Sequence, residues 1–226
     1  MSTNKIFIFG NGEISEIVSS YFNKENKFDI LGYVVDDDKF KEKKFLNKNV
    51  ITKSDLFKNF NPQDIKIHIA ISYSNINKNR YKIYKELKKN KFNFVSFISD
   101  KINCGSNVTF GENCFIQENQ TIQDNVIIGN NVIIWAGNHI GHGSKIGNHT
   151  YISSHNVISG HVSIGERCFI GVNSSFRDFI TVGDDCLIGM CSKVMSNISN
   201  NSVIIEEPSK VLDGDSRQAR FIKNKF

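Results

Sequence analysis

From Phe110 onward a large apolar residue recurs at every sixth position: Phe110, Ile116, Ile122, Ile128, Ile134, Ile140, Ile146, Ile152, Ile158, Ile164, Ile170, Phe176, Val182, Ile188 and Val194. Apolar residues make up 39% of the chain, so a run this long arises by chance only about once in a million frames. Two positions earlier the residue is small or branched, as at Val108, Cys114, Val126, Val132, Ser144, Thr150, Val162, Cys168, Ser174, Cys186 and Ser192. The following residue is often glycine: Gly111, Gly129, Gly141, Gly147, Gly165, Gly171, Gly183 and Gly189. A six-residue period suits neither an α-helix nor an array of hairpins. It suits short strands joined by tight turns, with the large residue inward, the small one at the corner, and glycine or asparagine in the turn at φ > 0. Three such units close one triangular coil, and coils stack at about 4.8 Å. The pattern predicts a parallel β-helix over residues 100–198 with no insertion. Its two ends need covers, which the segment before it and the tail 199–226 can supply.

Ahead of the repeat, Lys5-Ile6-Phe7-Ile8-Phe9-Gly10 is an apolar run of the buried-strand type. After Gly10-Asn11-Gly12, residues Ile14, Ile17, Val18 and Tyr21 fall on one helical face. Further strands are predicted over 29–35, 65–71 and 92–98, with a helix over 79–89. The result is a small Rossmann-like parallel α/β unit over residues 1–99. In such sheets ligands sit beyond the C-terminal strand ends. Gly10-Asn11-Gly12 at a helix N-terminus suits a phosphate held by backbone N–H groups, and it equally suits a plain tight turn. Asp36 is placed for a ribose or a base. Ser15 stands where the dinucleotide fingerprint has its third glycine, and the unit is short, so a mononucleotide is expected rather than NAD.

Charge and cysteine content narrow the partners. The net charge of +5 is spread among interleaved acids and bases, which reads as a solvated surface and not as a nucleic-acid stripe. No apolar stretch approaches the ~20 residues of a membrane span, and no signal-peptide pattern opens the chain. Five cysteines without a Cys-x-x-Cys pair predict reduced thiols in a cytoplasm, acting as small buried hydrophobes and not as metal ligands.

His68 falls in a predicted strand and reads as structural. The other five, His139, His142, His149, His155 and His161, crowd into one stretch of the β-helix, and none is inward in the register. His149, His155 and His161 each lie three after an inward isoleucine, which places them on successive sides of the triangle and not in one ladder. No zinc spacing is matched and no metal is expected. A neutral imidazole can take a proton from an attacking amine or hydroxyl. His142, two residues after Ile140, reads either as such a base or as a solvated turn residue.

An α/β unit followed by this repeat resembles the NeuD/PglD-like bacterial sugar acetyltransferases of the hexapeptide-repeat superfamily. The resemblance runs from Lys5-Ile6-Phe7-Ile8-Phe9-Gly10 to Glu207-Pro208-Ser209-Lys210. It implies a left-handed coil, although right-handed crossovers are the general rule, and a homotrimer with acetyl-CoA between adjacent β-helices. It further implies an acetyl-CoA-dependent N-acetyltransferase acting on a nucleotide-linked amino sugar, a 4-amino-4,6-dideoxy sugar, in surface-glycan synthesis. The family's base falls on His142, with His139 and His155 as accessory candidates. Its nucleotide-sugar contacts fall on Gly10, Asn11, Gly12, Glu13, Ile14, Asp36, Asp37 and Ser72, and its acetyl-CoA contacts on Gly160 and Val172. The Gly160 N–H is expected to steady the oxyanion. The acid that follows the family's base is Gly143 here, and its asparagine seven residues earlier is Trp135. The alternatives are an O-acetyltransferase acting on a sugar hydroxyl and a non-catalytic trimeric nucleotide-binding scaffold.

Overall fold

The computed structural model describes residues 4–25 and 27–225. Strand β1 (Asn4–Phe9) lies at the middle of a sheet. Helix α1 (Glu13–Lys24) returns the chain to β2 (Phe28–Val35), which pairs with β1 on one side. The short β3 (Lys44–Phe45) and β4 (Lys48–Thr52) extend that side, β3 running antiparallel. After α2 (Lys53–Asn59) the chain crosses to the other side of β1 as β5 (Lys66–Ile69), and after α3 (Lys78–Lys89) as β6 (Asn93–Phe94). The order is β3-β4-β2-β1-β5-β6. The direction of winding reverses between β1 and β5, which is where doubly wound sheets open a ligand crevice.

Alternation along β1 sorts the layers. Ile6 and Ile8 point to the side that holds Val18 and Phe22 of α1, while Phe7 and Phe9 join Leu56 of α2 and Ile83 and Leu87 of α3. The α1 face used for packing is the one marked by Val18 and Phe22, with Ile14, Ile17 and Tyr21 at its margin.

The apolar run predicted as one strand over 92–98 is divided. Residues 93–94 complete the α/β sheet, whereas Phe97–Ile98 pair with Phe115–Ile116 and open the β-helix. From there two-residue strands form three parallel sheets. The first face carries Phe97–Ile98, Phe115–Ile116, Ile133–Ile134, Tyr151–Ile152, Phe169–Ile170, Leu187–Ile188 and Val203–Ile204. The second runs from Asn103–Cys104 through His139–Ile140 to Lys193–Val194, and the third from Thr109–Phe110 to Thr181–Val182. The coil is a left-handed β-helix. Every inward position from Ile116 to Val194 is buried, and Phe110 is partly so.

The corners correct one expectation. The glycines after the inward residues do not carry the positive φ. That conformation falls three residues after each inward position, on Asn113, Asn131, His149, Arg167 and Asp185 at the third–first corner, on Asn119, Gly137, His155, Asn173 and Cys191 at the first–second, and on Asn107, Asn125, Gly143, His161 and Phe179 at the second–third. The glycines serve close stacking instead: a Cβ on Gly147 would stand 2.4 Å from the carbonyl carbon of Gly165 in the next coil. Three cysteines, Cys114, Cys168 and Cys186, fill corner positions as small buried hydrophobes. At the first–second corner the same slot holds a buried stack of Gln120, Asn138 and Asn156, each side-chain oxygen taking the backbone N–H of the residue one coil further on.

The α/β unit does not cover an end of the β-helix. It packs on the flank, where Phe97, Phe115, Ile133 and Tyr151 project from the first face into the cluster around Ile6, Ile8, Val18 and Phe22. Each such side chain contributes about 2 kcal/mol by leaving water. Polar ties reinforce the seat. Tyr21 donates to Glu118 at 2.9 Å, and the buried Arg80 guanidinium donates to the carbonyls of Asn131 and His149 at the third–first corner. Beyond Ile204, Ile205, Val211 and Phe221 are exposed, and the short α4 (Arg217–Lys223) is capped by Ser216.

Candidate functional site

The strand ends meet in a cleft of about 990 Å³. All eight nucleotide-sugar candidates line it: Gly10, Asn11, Gly12, Glu13, Ile14, Asp36, Asp37 and Ser72. Local geometry explains the turn. Gly10 adopts φ +126°, and a Cβ there would meet the Ala70 carbonyl and the Ser15 hydroxyl, each at 2.7 Å. Ser15, at the third-glycine position of the fingerprint, is fully buried and donates to Ala70 O at 3.3 Å, which ties α1 to the end of β5. Among the described residues no side chain caps the N-terminus of α1, and although Ser15 N–H donates to Gly12 O at 2.8 Å, the N–H groups of Glu13 and Ile14 and the helix dipole are available to an anion.

Lys53 is a cleft residue that the sequence reading missed. Its ammonium lies 2.7 Å from Asp36 Oδ1 and 2.8 Å from Glu86 Oε2. Burial alone would lower it, but the two carboxylates outweigh that and hold its pKa above the ordinary lysine value. The Ser54 hydroxyl bonded to Asp37 holds that carboxyl below its ordinary range. The cleft thus offers fixed acceptors and one fixed donor where a base would lie, and uncapped N–H groups where phosphates would lie. Trp135 closes one end of the cleft, and its buried Nε1–H meets no acceptor among the described residues. Past Trp135 lies an aromatic groove of about 520 Å³ lined by Tyr73, Tyr151, Phe169, Val172 and Met190. Val172, one of the two acetyl-CoA candidates, therefore borders this groove at the first–second corner.

His142 and Gly160 lie at the second–third corner. The His142 ring rests over Gly160, where an added Cβ would stand 2.7 Å from Cε1 and 2.9 Å from Nε2. The Gly160 N–H does not point at an open oxyanion position, because it donates to Asp178 Oδ1 at 2.9 Å. That part of the expectation is corrected. Gln123 Oε1, from the preceding coil, lies 2.9 Å from the backbone N of His142 and 3.1 Å from its Nδ1. The partner ring is His161, T-shaped at 4.9 Å, and His161 in turn stacks on the exposed Phe179. His139 lies on the second face between Thr121 and Val157, and His155 is at the first–second corner with its ring over Gly137. His149 is buried at the third–first corner. The three turn histidines thus occupy three different corners, and the one gathered to His142 is His161, not His155.

Residues 5–87 match the PglD N-terminal domain. Residues 107–141, 125–160 and 161–195 match the bacterial transferase hexapeptide repeats. No curated protein matches the chain as a sequence. Among solved structures, the acetyltransferase domain of PglB from Neisseria gonorrhoeae superposes with TM-score 0.79 at 20% identity, covering 93% of this chain and 100% of that one. WeeI from Acinetobacter baumannii superposes with TM-score 0.78 at 16% identity, over 93% and 100% of the two chains. PerB from Caulobacter crescentus, solved with CoA and GDP-perosamine, gives TM-score 0.77 at 21% identity over 89% and 94%. At these identities the likeness is one of fold.

Proposed function

From the membership of this chain in the NeuD/PglD-like sugar acetyltransferases, the family its two domain matches define, we propose that it transfers the acetyl group of acetyl-CoA to the amine of a nucleotide-linked amino sugar. The observation that carries the reading is the cleft at the β1/β5 switch point, which gathers uncapped helix N–H groups, Asp36, Asp37 and Ser72 into one pocket. A nucleoside diphosphate fits that chemistry: phosphates at α1, base toward the acids and Lys53. The structural neighbour solved with CoA and GDP-perosamine supports the same pairing of donor and acceptor.

In the proposed reaction the neutral sugar amine attacks the thioester carbonyl and His142 Nε2 takes its proton. The tetrahedral intermediate then expels CoA as its thiolate, which takes up the proton. Positioning and one base suffice for an amine nucleophile. The cleft, the groove and Val172 border the first–second corner, whereas His142 and Gly160 stand on the second–third, with the second face between them. In the homotrimer that the resemblance implies, a second copy of the chain would bring these two corners together, so that one donor could touch Gly160 of one subunit and Val172 of another.

The test is CoA release by the purified protein with acetyl-CoA and a panel of UDP-, dTDP- and GDP-linked amino sugars and their hydroxy analogues. Turnover with an amino sugar alone is expected. Turnover with a hydroxy analogue instead would move the activity to O-acetylation. Nucleotide binding without turnover on any acceptor would favour the scaffold and refute the enzyme reading.

A further inference from the structure

His142 lacks the acid that follows the family's base, and the structure supplies a different support. We propose that Gln123 is the positioning residue for His142: its side-chain carbonyl holds Nδ1–H and so leaves the Nε2 lone pair free to accept a proton. The inference rests on the reading of His142 as the general base.

The hydrogen-bond geometry fixes the direction. Gln123 Oε1 lies 2.9 Å from the His142 backbone N. A backbone N–H can only donate, so the oxygen of the amide, not its nitrogen, must face His142. The same oxygen lies 3.1 Å from Nδ1. An amide oxygen can only accept, so Nδ1 carries the hydrogen and Nε2 is the unprotonated nitrogen. Gln123 is itself held, since its backbone N–H donates to Ile140 O at 2.9 Å within the coil-to-coil ladder.

Two glycines show why the support comes from the coil below. Gly143 sits at φ +67°, and a Cβ there would stand 2.6 Å from Nδ1 of His161. An acidic side chain at this position would have to displace that ring. Gly160 leaves room above the imidazole that any other residue would fill. The ring is therefore held from one side by Gln123, seated over Gly160 on the other, and braced edge-on by His161 at 4.9 Å.

The chemical consequence is a neutral support. A carboxylate at Nδ1 orients the ring and also stabilises the imidazolium that forms. An amide oxygen orients it with much less stabilisation, so the base releases its proton readily once CoA departs. Exchanging the amide for a carboxylate should favour the charged ring and move the acid limb of the pH–rate profile upward.

The experiment uses the full-length protein with acetyl-CoA and the acceptor that gives turnover in the panel above. Gln123→Leu should lower kcat about 10- to 100-fold with both KM values unchanged. Gln123→Glu should retain kcat at high pH and move the acid limb up by about one pH unit. Nitrogen-15 NMR of the wild-type imidazole, with His142→Ala for assignment, should show the proton on Nδ1. A ring protonated on Nε2 in the neutral protein overturns the proposal without any variant at 123 having to fold. So does wild-type kcat in Gln123→Leu alongside an inactive His142→Ala. Full activity in His142→Ala would instead remove the base reading on which the inference stands.

Discussion

Lowering the pH from 7.5 to 5 should loosen this fold through two histidines that it keeps neutral. His68 is buried, its Nδ1–H donates to Val95 O at 2.9 Å, and its Nε2 has no partner among the described residues. Burial, opposed by that carbonyl and aided by the Arg80 charge, pushes its pKa down to about 4. His149 is 5% exposed, and burial with the Arg80 and Arg167 charges pushes it down to about 3. A ladder of fixed direction enforces this. The Ile69 N–H donates to Asn113 Oδ1, Asn113 Nδ2 donates to Asn131 Oδ1, and Asn131 Nδ2 therefore donates to His149 Nδ1 at 2.9 Å. Protonating that nitrogen would set donor against donor. In the unfolded chain both rings titrate near the usual ~6.5. Both folded values lie below it, so under acid the unfolded chain binds protons that the native one refuses. Stability is present above pH ~6.5 and falls as the pH drops toward the folded values. Each group costs about 1.4 kcal/mol per pH unit across that window, so about 2 kcal/mol each and about 4 kcal/mol together at pH 5. Urea unfolding at pH 7.5, 6 and 5 reads this directly. His149→Asn is the informative variant, because Asn113 and Asn131 hold the same corner conformation at φ 56° and 57°. It loses the ring contacts to Tyr81 and Tyr84, so its stability at pH 7.5 should be lower, but its loss between pH 7.5 and 5 should be about half that of the wild type. Equal losses in the two proteins would refute the reasoning.

Gly147→Ala places a methyl 2.4 Å from backbone atoms of Gly165 and should cost about 2–3 kcal/mol in chemical denaturation. Gly12→Ala, at φ −115° with nothing within 4 Å of the new Cβ, should leave the unfolding midpoint unchanged while weakening nucleotide-sugar binding by calorimetry; a stability loss as large as that of Gly147→Ala would contradict the stacking argument. Arg80→Leu strands the carbonyls of Asn131 and His149 and the side-chain oxygen of Asn77 in a buried site. It should cost about 3 kcal/mol or more, lowering the thermal midpoint by about 10 °C in a chain of this size; a fall within 2 °C would show that the guanidinium contributes little to seating α3.

The register of the β-helix was legible because one side chain in every six has nothing to face but its own kind. The division of 92–98 was not. A strand of the sheet and the first strand of the coil share one apolar signature, and only the Ser96 contacts to Gly111 O and the Cys114 N–H reveal the turn between them. The two roles of the corners were merged because glycine and asparagine both suit positive φ, while the close approach of one coil to the next is a property of stacking. The cleft residues could be named from strand ends, since Gly10, Asp36 and Ser72 each follow a strand, but Lys53 reaches Asp36 only because β4 lies beside β2. Gln123 left a signal that went unused. With a coil of eighteen residues, the position nineteen before His142 lies one coil down and one step back.

In a prism of this regularity, position along the chain doubles as a compass bearing. The ladder contacts repeat at an interval of eighteen residues, so a shift of six residues is a rotation through one face. The α/β unit is bolted to a single bearing by Phe97, Phe115, Ile133 and Tyr151. Removing eighteen residues ahead of His142 would shorten the prism and leave the histidine facing the same way. Removing six would keep every inward residue inward and every coil closed, yet swing His142 round to another corner. Removal of one would turn the inward row outward, and removal of two would drive its large residues into the small corner slots. Length variation in such a chain is thus quantised twice, once by what lets it fold and again, three times more coarsely, by what lets its parts face one another.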